Sequence, residues 1–326
     1  MKILSVSVAA YNMEKLIRQN LDSFVRSACR DDVEVLVIDD GSKDGTADIV
    51  REYEARYPGV VRLIQQPNAG PGSTVNRGMD NASGKYFRMV DADDWVGDGF
   101  DEYVAFLKET DADMVAADYV MVDDLTGQTR ERIITGLPEK QTVPFDEVCS
   151  GLELEMHAVT FRTALLREHG IRLFNGFYTD MQYLLFPAPY VATVAYIHVP
   201  VYMYRVSLSG QSMASSSMQR NIRMHDDMVF SIVSLYNETA PSRPAVAAYI
   251  LKKLVMISGT EMGTLLSFEP SRENKARLFD FIRRLRESCP DAYRGFSRLK
   301  TARALRFCGG AFYPVLCRMH RKRLGL

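Results

Sequence analysis

The chain has 326 residues, 47% of them apolar and 25% charged, with 40 Lys plus Arg against 41 Asp plus Glu and a formal net charge of −1. That length allows about two domains and is ample for a dry core, and the composition excludes a disordered chain, a collagen and a small disulfide scaffold. Taken as a total, that balance says nothing about anionic partners, since proteins that neutralise nucleic acid or membrane usually carry a basic surplus.

The five cysteines, Cys29, Cys149, Cys289, Cys308 and Cys317, are odd in number, widely spaced and free of any C-x-x-C pair. They read as reduced thiols of a cytoplasmic protein rather than a zinc site or a disulfide framework. The opening MKILSVSVAAYN has a short apolar run that contains two serines and passes straight into an amphipathic helix, so it is not read as a signal peptide. The most apolar stretch, 246–266, is broken by Lys252, Lys253 and Glu261, and no membrane span is expected.

In chain order, Ile3 to Ala9 reads as a buried strand. Met13, Leu16, Ile17, Leu21, Phe24, Val25 and Ala28 then recur at the spacing of one helix face. VEVLVIDD (33–40) is a second strand, and a helix follows the turn GSKDGT to about Tyr57. VVRLIQQ (60–66), a helix from about Gly72, and YFRMVDADD (86–94) complete the alternation. Strand–helix repetition with strands apolar enough to be buried on both faces predicts a parallel, Rossmann-like sheet with right-handed crossovers.

Ligands of such sheets bind outside the carboxyl ends of the strands. Three of these ends carry polar groups: Tyr11 and Asn12, Asp39 and Asp40, and Asp91, Asp93 and Asp94. Aspartate also caps helices well, but three ends meeting at one edge point to a shared cleft. Alternate side chains of a strand point the same way, so Asp91 and Asp93 are placed to share one hard cation, Mg²⁺ or Mn²⁺. A second D-x-D, Asp111 and Asp113, precedes the strand MVAADYV at the opposite edge and reads as solvated loop. No G-x-x-x-x-G-K-[ST] occurs and no G-x-G-x-x-G follows the first strand, which argues against P-loop chemistry and a dinucleotide cofactor. NAGPGSTVNRGM (68–79) reads either as a phosphate-facing helix start or as a plain turn and helix.

The segments SVSVAAYNMEKLIRQNLDSF, VLVIDDGSKDGTADIV and QQPNAGPGSTVNRGMDNASGKYFRMVDADDWV together resemble family 2 glycosyltransferases of the GT-A fold, the bacterial cell-surface polysaccharide type. The resemblance is dense over about the first 110 residues and resumes at GFYTDMQYLLF (176–186) and VPVYMYRVSLSGQSMA (199–214). It implies a GT-A glycosyltransferase domain over 1–215, with a nucleotide-binding half to about 120 and an acceptor half beyond, and a helical carboxyl-terminal region over 216–326. It further implies that Tyr11 and Asp40 hold the nucleotide base, usually uracil, with the backbone near Ala9. Asp91 contacts ribose or metal, and Asp93 binds the metal on the diphosphate. Asn76 joins the nucleotide-sugar group, Asp180 is the catalytic base, and Arg205 with the following GQS, including Ser212, folds over diphosphate and acceptor. Two departures stand out: Thr179 replaces the usual Glu before the base, and Ala10 replaces a proline or similar residue.

The chemistry implied is an inverting transfer from a nucleotide-sugar to a hydroxyl of a glycan or lipid-linked acceptor. A carboxylate must take the proton of a hydroxyl that is a poor nucleophile at neutral pH, and Asp180 suits this if partial burial raises its basicity. A helix N-cap is the plainer alternative for Asp180. His198 reads as a packed core residue or a group near the metal, and Trp95 as packing beneath the site. Rival functions are a nucleotide-sugar-forming nucleotidyltransferase, whose basic glycine-rich loop the segment VAAYNMEK lacks, and a non-catalytic sugar-nucleotide-binding subunit.

Residues 272–326 hold 15 Lys plus Arg against 4 Asp plus Glu. The final AFYPVLCRMHRKRLGL is expected to place Phe312, Val315, Leu316 and Met319 on one helical face and Arg318, Arg321 and Lys322 on the other, the make-up of a helix lying in an anionic membrane interface. A basic helix that packs its apolar stripe on the protein is the alternative. The expected location is the cytoplasm, with peripheral contact at the inner face of the cell membrane. Nucleic acid is not an expected partner, for no reading motif or aromatic interleaving is present.

Overall fold

The structure is a computed structural model that describes residues 2–175, 178–207, 215–307 and 310–325. Two units emerge, Met1–Asn175 with Thr179–Ser209, and Gly176–Tyr178 with Gly210–Leu326.

The first unit opens as its apolar runs dictate: β1 (Leu4–Ala10), α1 (Ile17–Val25), β2 (Val33–Asp39), α2 (Thr46–Arg56), β3 (Val61–Gln65), α3 (Pro71–Asn81) and β4 (Tyr86–Asp91). There follow β5 (Trp95–Val96), α4 (Phe100–Glu109), β6 (Met114–Asp123), β7 (Thr129–Arg132), β8 (Thr142–Pro144), α5 (Phe145–Val148), β9 (Val159–Arg162), α6 (Thr163–Glu168), α7 (Thr179–Leu185) and β10 (Thr193–Val206). One sheet runs in the order β3-β2-β1-β4-β9-β6-β10-β5, with β7 on β6 and β8 on β10. Strands β1 to β4 are mutually parallel, as are β6 and β10, while β9 enters antiparallel between β4 and β6. The fold is α/β with a mostly parallel sheet flanked by helices, as the sequence predicts.

β1 and β2 are buried along nearly their whole length, which is why their sequences are continuous apolar runs without alternation. Helix α3 packs on both. It comes so close that a Cβ at Gly78 would overlap Ser7 Oγ, so this helix position excludes a side chain. The first helix is shorter than its periodicity predicts. The Met13 amide donates to Thr46 Oγ1 and Asn12 adopts φ 56°, which holds the chain before Leu16 in a loop, while Ala28 N–H leaves the helix for Asp101.

Because β2, β1 and β4 are adjacent and parallel, their carboxyl ends share one edge. The register pairs Ala10 with Asp39 and Ala9 with Asp91. The three polar strand ends are thus neighbours.

The second unit is helical: α8 (Ser215–Arg220), α9 (Ile222–Thr239), α10 (Pro244–Ser267), α11 (Arg272–Ser288), α12 (Pro290–Phe296), α13 (Lys300–Phe307) and α14 (Tyr313–Leu324). Its centre is α10, which packs on α9, α12 and α14. Among the described residues no helix is long and apolar enough to cross a membrane.

Candidate active site

β4 ends at Asp91, and residues 92–94 form a turn in which the Asp94 amide donates to Asp91 O at 3.1 Å. Strand alternation therefore stops one residue too early to aim Asp93 alongside Asp91. The turn instead returns the third residue. Asn20 of α1 ties both ends of it, its Nδ2 donating to the carbonyls of Asp91 at 3.2 Å and Asp94 at 2.8 Å. From β10, Tyr202 donates its hydroxyl to Asp94 Oδ2 at 2.6 Å and accepts the Asp91 amide at 3.1 Å, while the Arg205 amide donates to Asp94 Oδ1 at 2.7 Å.

The third member of the cluster comes from the short turn before β9. His157 is stacked on Tyr204 at 4.0 Å between ring centroids and meets the edge of Tyr202 at 4.9 Å. Its carbonyl accepts from Arg88 Nη2. Arg88, fully buried in the middle of β4, also donates to Thr160 Oγ1 at 3.1 Å and lies over the rings of Tyr103 and Tyr202. Ligand atoms of Asp91, Asp94 and His157 all lie within 4.8 Å of one another.

The electrostatics show what this crowding costs. Burial pushes the Asp91 carboxyl up to about 7, reinforced by Asp93 and Asp180. Asp94 is raised well above the usual carboxylate range by burial, then by Asp91 and Asp93, against the opposing hydrogen bonds from Tyr202 and Arg205. Asp93 is raised by burial, with Arg205 and His157 opposing. Gathered carboxylates that resist ionisation, beside an imidazole whose Nδ1 has no hydrogen-bond partner among the described residues and lies 3.9 Å from Glu155 Oε2, make a donor set fitted to a hard divalent cation. The trio differs from the expected Asp91 and Asp93 pair. Asp93 stands beside it, its carbonyl accepting from Arg205 Nε at 2.8 Å.

Asp180 lies inside the first turn of α7, one residue past its start, and is not an N-cap. Burial raises its carboxyl, opposed by the Met181 amide and by His157, so it is a stronger base than a solvated aspartate.

On the nucleotide side, Tyr11 is exposed and Ala9 half-buried at the same edge. Asp40 is buried. Its Oδ1 accepts from Ala69 N at 2.9 Å and Gln66 Nε2 at 2.8 Å, and its Oδ2 from Gly70 N at 2.9 Å. Those amides, and Ser73 N on Asn175 Oδ1, are the donors that the glycine-rich segment could offer a phosphate, and here they go to side-chain acceptors of the protein. Asn76 exchanges two hydrogen bonds with the backbone of Leu173, at 2.6 and 2.9 Å, which commits its amide to fixing that segment.

Arg205 is buried, over the Trp95 ring at 4.8 Å. Its Nη1 pairs with Asp124 and its Nη2 donates to Gln19 Oε1 at 2.6 Å. These bonds make it a brace for the 93–94 turn. Ser212 and the rest of GQS lie outside the described residues. His198 is neither packed in the core nor part of the trio: it is an exposed residue of β10 with its Nδ1 2.5 Å from Asp118 Oδ2. Asp113, expected in solvated loop, is buried, ion-paired with Arg162, and accepts the amides of Ala192 and Thr193 at 2.9 and 3.0 Å. Asp111 does lie in solvent, paired with Lys85.

His157 had no spacing signal in the sequence. Arg88 did offer one, as a charge inside the otherwise apolar run YFRMV.

Residues 5–170 match the family described as Glycosyl transferase family 2. EpsH of Bacillus subtilis (strain 168) is 29% identical over 222 residues, 63% of this chain and 61% of that protein. A poly(ribitol-phosphate) beta-glucosyltransferase of Bacillus spizizenii is 36% identical over 114 residues, 34% of this chain and 18% of its own length. The chain thus spans less than two thirds of these relatives. Among solved structures, S. aureus TarS 1-349 in complex with UDP superposes with a TM-score of 0.63 at 20% identity, covering 100% of this chain and 92% of that one. The same protein with UDP-GlcNAc gives 0.57 at 19%, covering 95% and 92%. The mannosyltransferase PcManGT of Pyrobaculum calidifontis, in complex with GDP-Man and Mn²⁺, gives 0.51 at 17%, covering 98% and 86%. These structures share the GT-A fold.

Proposed function

Because this chain belongs to glycosyl transferase family 2, we propose that it transfers a sugar from a nucleotide-sugar, a UDP-sugar foremost, to a hydroxyl of a glycan or lipid-linked acceptor in cell-surface polysaccharide synthesis. The observation that carries the proposal is the Asp91, Asp94 and His157 cluster with Asp180 within electrostatic reach, at the carboxyl edge of the parallel strands. UDP is favoured because TarS, which superposes better than PcManGT, is the one solved with UDP and UDP-GlcNAc.

In this reading Asp91, Asp94 and His157 hold Mn²⁺ or Mg²⁺, with Asp93 at its side. When bound, the ion offsets charge growing on the departing diphosphate, Lewis-acid help of several kcal/mol. Tyr202, Arg205 and Asn20 fix the turn that presents the carboxylates. Tyr11, Asp40 and the backbone at Ala9 receive the base. Asp180 accepts the proton of the attacking hydroxyl, and attack opposite the leaving group inverts the anomeric centre. Asn76 and Arg205 serve as positioning groups for the donor pocket. Work at the inner face of the cell membrane, as a peripheral protein, belongs to the same reading.

The test is incubation with UDP-, GDP- and dTDP-sugars plus Mn²⁺ while following nucleotide release. The proposal expects a nucleoside diphosphate whose release EDTA abolishes. Pyrophosphate release from a nucleoside triphosphate would instead establish the nucleotidyltransferase, and binding without turnover a non-catalytic subunit.

A further inference from the structure

The sequence places an apolar stripe on the last helix, and packing of that stripe on the protein is the ordinary fate of such a pattern. The structure departs from it. α14 packs through Tyr313 and Cys317, both buried, and through Arg321, which donates to Ser267 O at 2.9 Å and pairs with Glu269 at 2.5 Å. Phe312, Val315 and Met319, spaced i, i+3 and i+7, face outward at 52%, 43% and 65% exposure. Arg318, Lys322 and Arg323 are exposed alongside them, so the basic and apolar groups share one outer arc rather than opposite faces. Leu316, expected on the apolar face, is half-buried.

The arc is not an isolated accident. Of the eleven large apolar side chains exposed among the described residues, five fall within 307–324, including Phe307 at 92%. Residues 292–326 hold nine Lys or Arg and no Asp or Glu. Next to α14, an apolar groove of about 550 Å³ is bordered by Met256, Leu299 and Leu324. A surface that pairs exposed aromatic and thioether groups with unbalanced positive charge is complementary to one that supplies hydrocarbon beneath a layer of anions.

We propose that the outer arc of α14 docks on an anionic lipid surface, with Phe312, Val315 and Met319 entering the boundary between headgroups and acyl chains and Arg318, Lys322 and Arg323 meeting lipid phosphates. The purpose of the docking rests on the reading of a lipid-linked acceptor, but the surface itself rests on α14 and the residues beside it.

The experiment is co-sedimentation of the full chain with vesicles of phosphatidylcholine alone and with about one third phosphatidylglycerol. Binding should be at least about tenfold stronger to the anionic vesicles and weaken with salt. The double variant Phe312→Ser, Met319→Ser should lose it by about tenfold or more while its melting temperature stays at the parent value, since both side chains are exposed. Lys322→Gln with Arg323→Gln should weaken anionic binding alone. Equal binding to both vesicles, or an unchanged double variant, overturns the proposal. So does a shift in mass by light scattering that the double variant abolishes without vesicle binding, which would assign the arc to a second copy of this chain. Retention on heparin without vesicle binding overturns it equally. Nucleotide release by the same proteins is measured in parallel. If release is absent everywhere the proposed transferase reading fails, while the vesicle result still decides the lipid surface.

Discussion

The sheet unit and the helical unit carry opposite excesses, and they carry them differently. At the sheet edge, carboxylates from a turn after β4 are crowded into a partly buried cluster whose ionisation is resisted. In the last helices, cations and apolar groups are left on the outside. Residues 1–271 hold 25 basic and 37 acidic side chains, and 272–326 hold 15 and 4, so the chain's net charge of −1 is a cancellation. What the contrast teaches is that an unrelieved local charge, buried or exposed, defines the sign of an absent partner where a whole-chain total does not. A divalent cation suits the first region and an anionic surface the second.

The largest effect should come from the base beside the cluster. Asp180→Asn is expected to lower kcat about 10²- to 10⁴-fold with the KM for donor little changed, measured by nucleotide release. A loss below about tenfold would move the base elsewhere. Next, His157→Ala should raise the Mn²⁺ concentration for half-maximal activity about 10- to 100-fold, the scale seen when a metal site loses a supporting group, and by more than Asp93→Asn does. The reverse order would restore the Asp91 and Asp93 pairing. A third substitution separates the regions by stability alone: Gly78→Val must push α3 off β1 at Ser7, costing about 1–3 kcal/mol, and should lower the melting temperature where exposed substitutions on α14 leave it unchanged.

The sequence foretold the sheet well, because strands buried on both faces leave uninterrupted apolar runs and the helices between them leave a clean period. The candidate site was legible only in part. Asp91, Asp40 and Tyr11 could be placed by their position at strand ends, which is a one-dimensional fact. The partnership of Asp94 with Asp91 could not, since it depends on β4 stopping at Asp91. His157 is brought in from more than sixty residues away by a buried arginine and two tyrosines, and no local spacing encodes that. The resemblance implies a place for Arg205 over the diphosphate, but its buried partners Asp124 and Gln19 lie far from it in sequence and no spacing announces them. The face of α14 was misjudged for a related reason. Periodicity finds a stripe but does not say which side the rest of the protein covers.

The smallest effect tests whether the two regions really differ in what would relieve them. Each holds a carboxyl that burial raises: Asp91 to about 7 from 3.8, and Glu261 to about 8 from 4.5. Beside Glu261, burial pushes His225 down to about 4, so these two, 3.7 Å apart, face each other uncharged near neutrality and need no ion. A raised folded pKa means the folded chain holds its proton more tightly than the unfolded one. Its contribution to stability is therefore full below about pH 4 and is lost as pH climbs through the folded value. The lowered His225 works in the opposite sense, adding stability as pH rises from about 4 to about 6.5. Without divalent ions the melting temperature should therefore fall most steeply above about pH 6.5, the Asp91 part of the fall ending near 7 and the Glu261 part near 8. Mn²⁺ binds the ionised Asp91 and should recover the part of the fall that ends near 7 while leaving the part that runs on to about 8, which Glu261→Gln should remove. If Mn²⁺ flattened the whole curve, or none of it, the distinction between a cluster built for a cation and a merely buried acid would be lost.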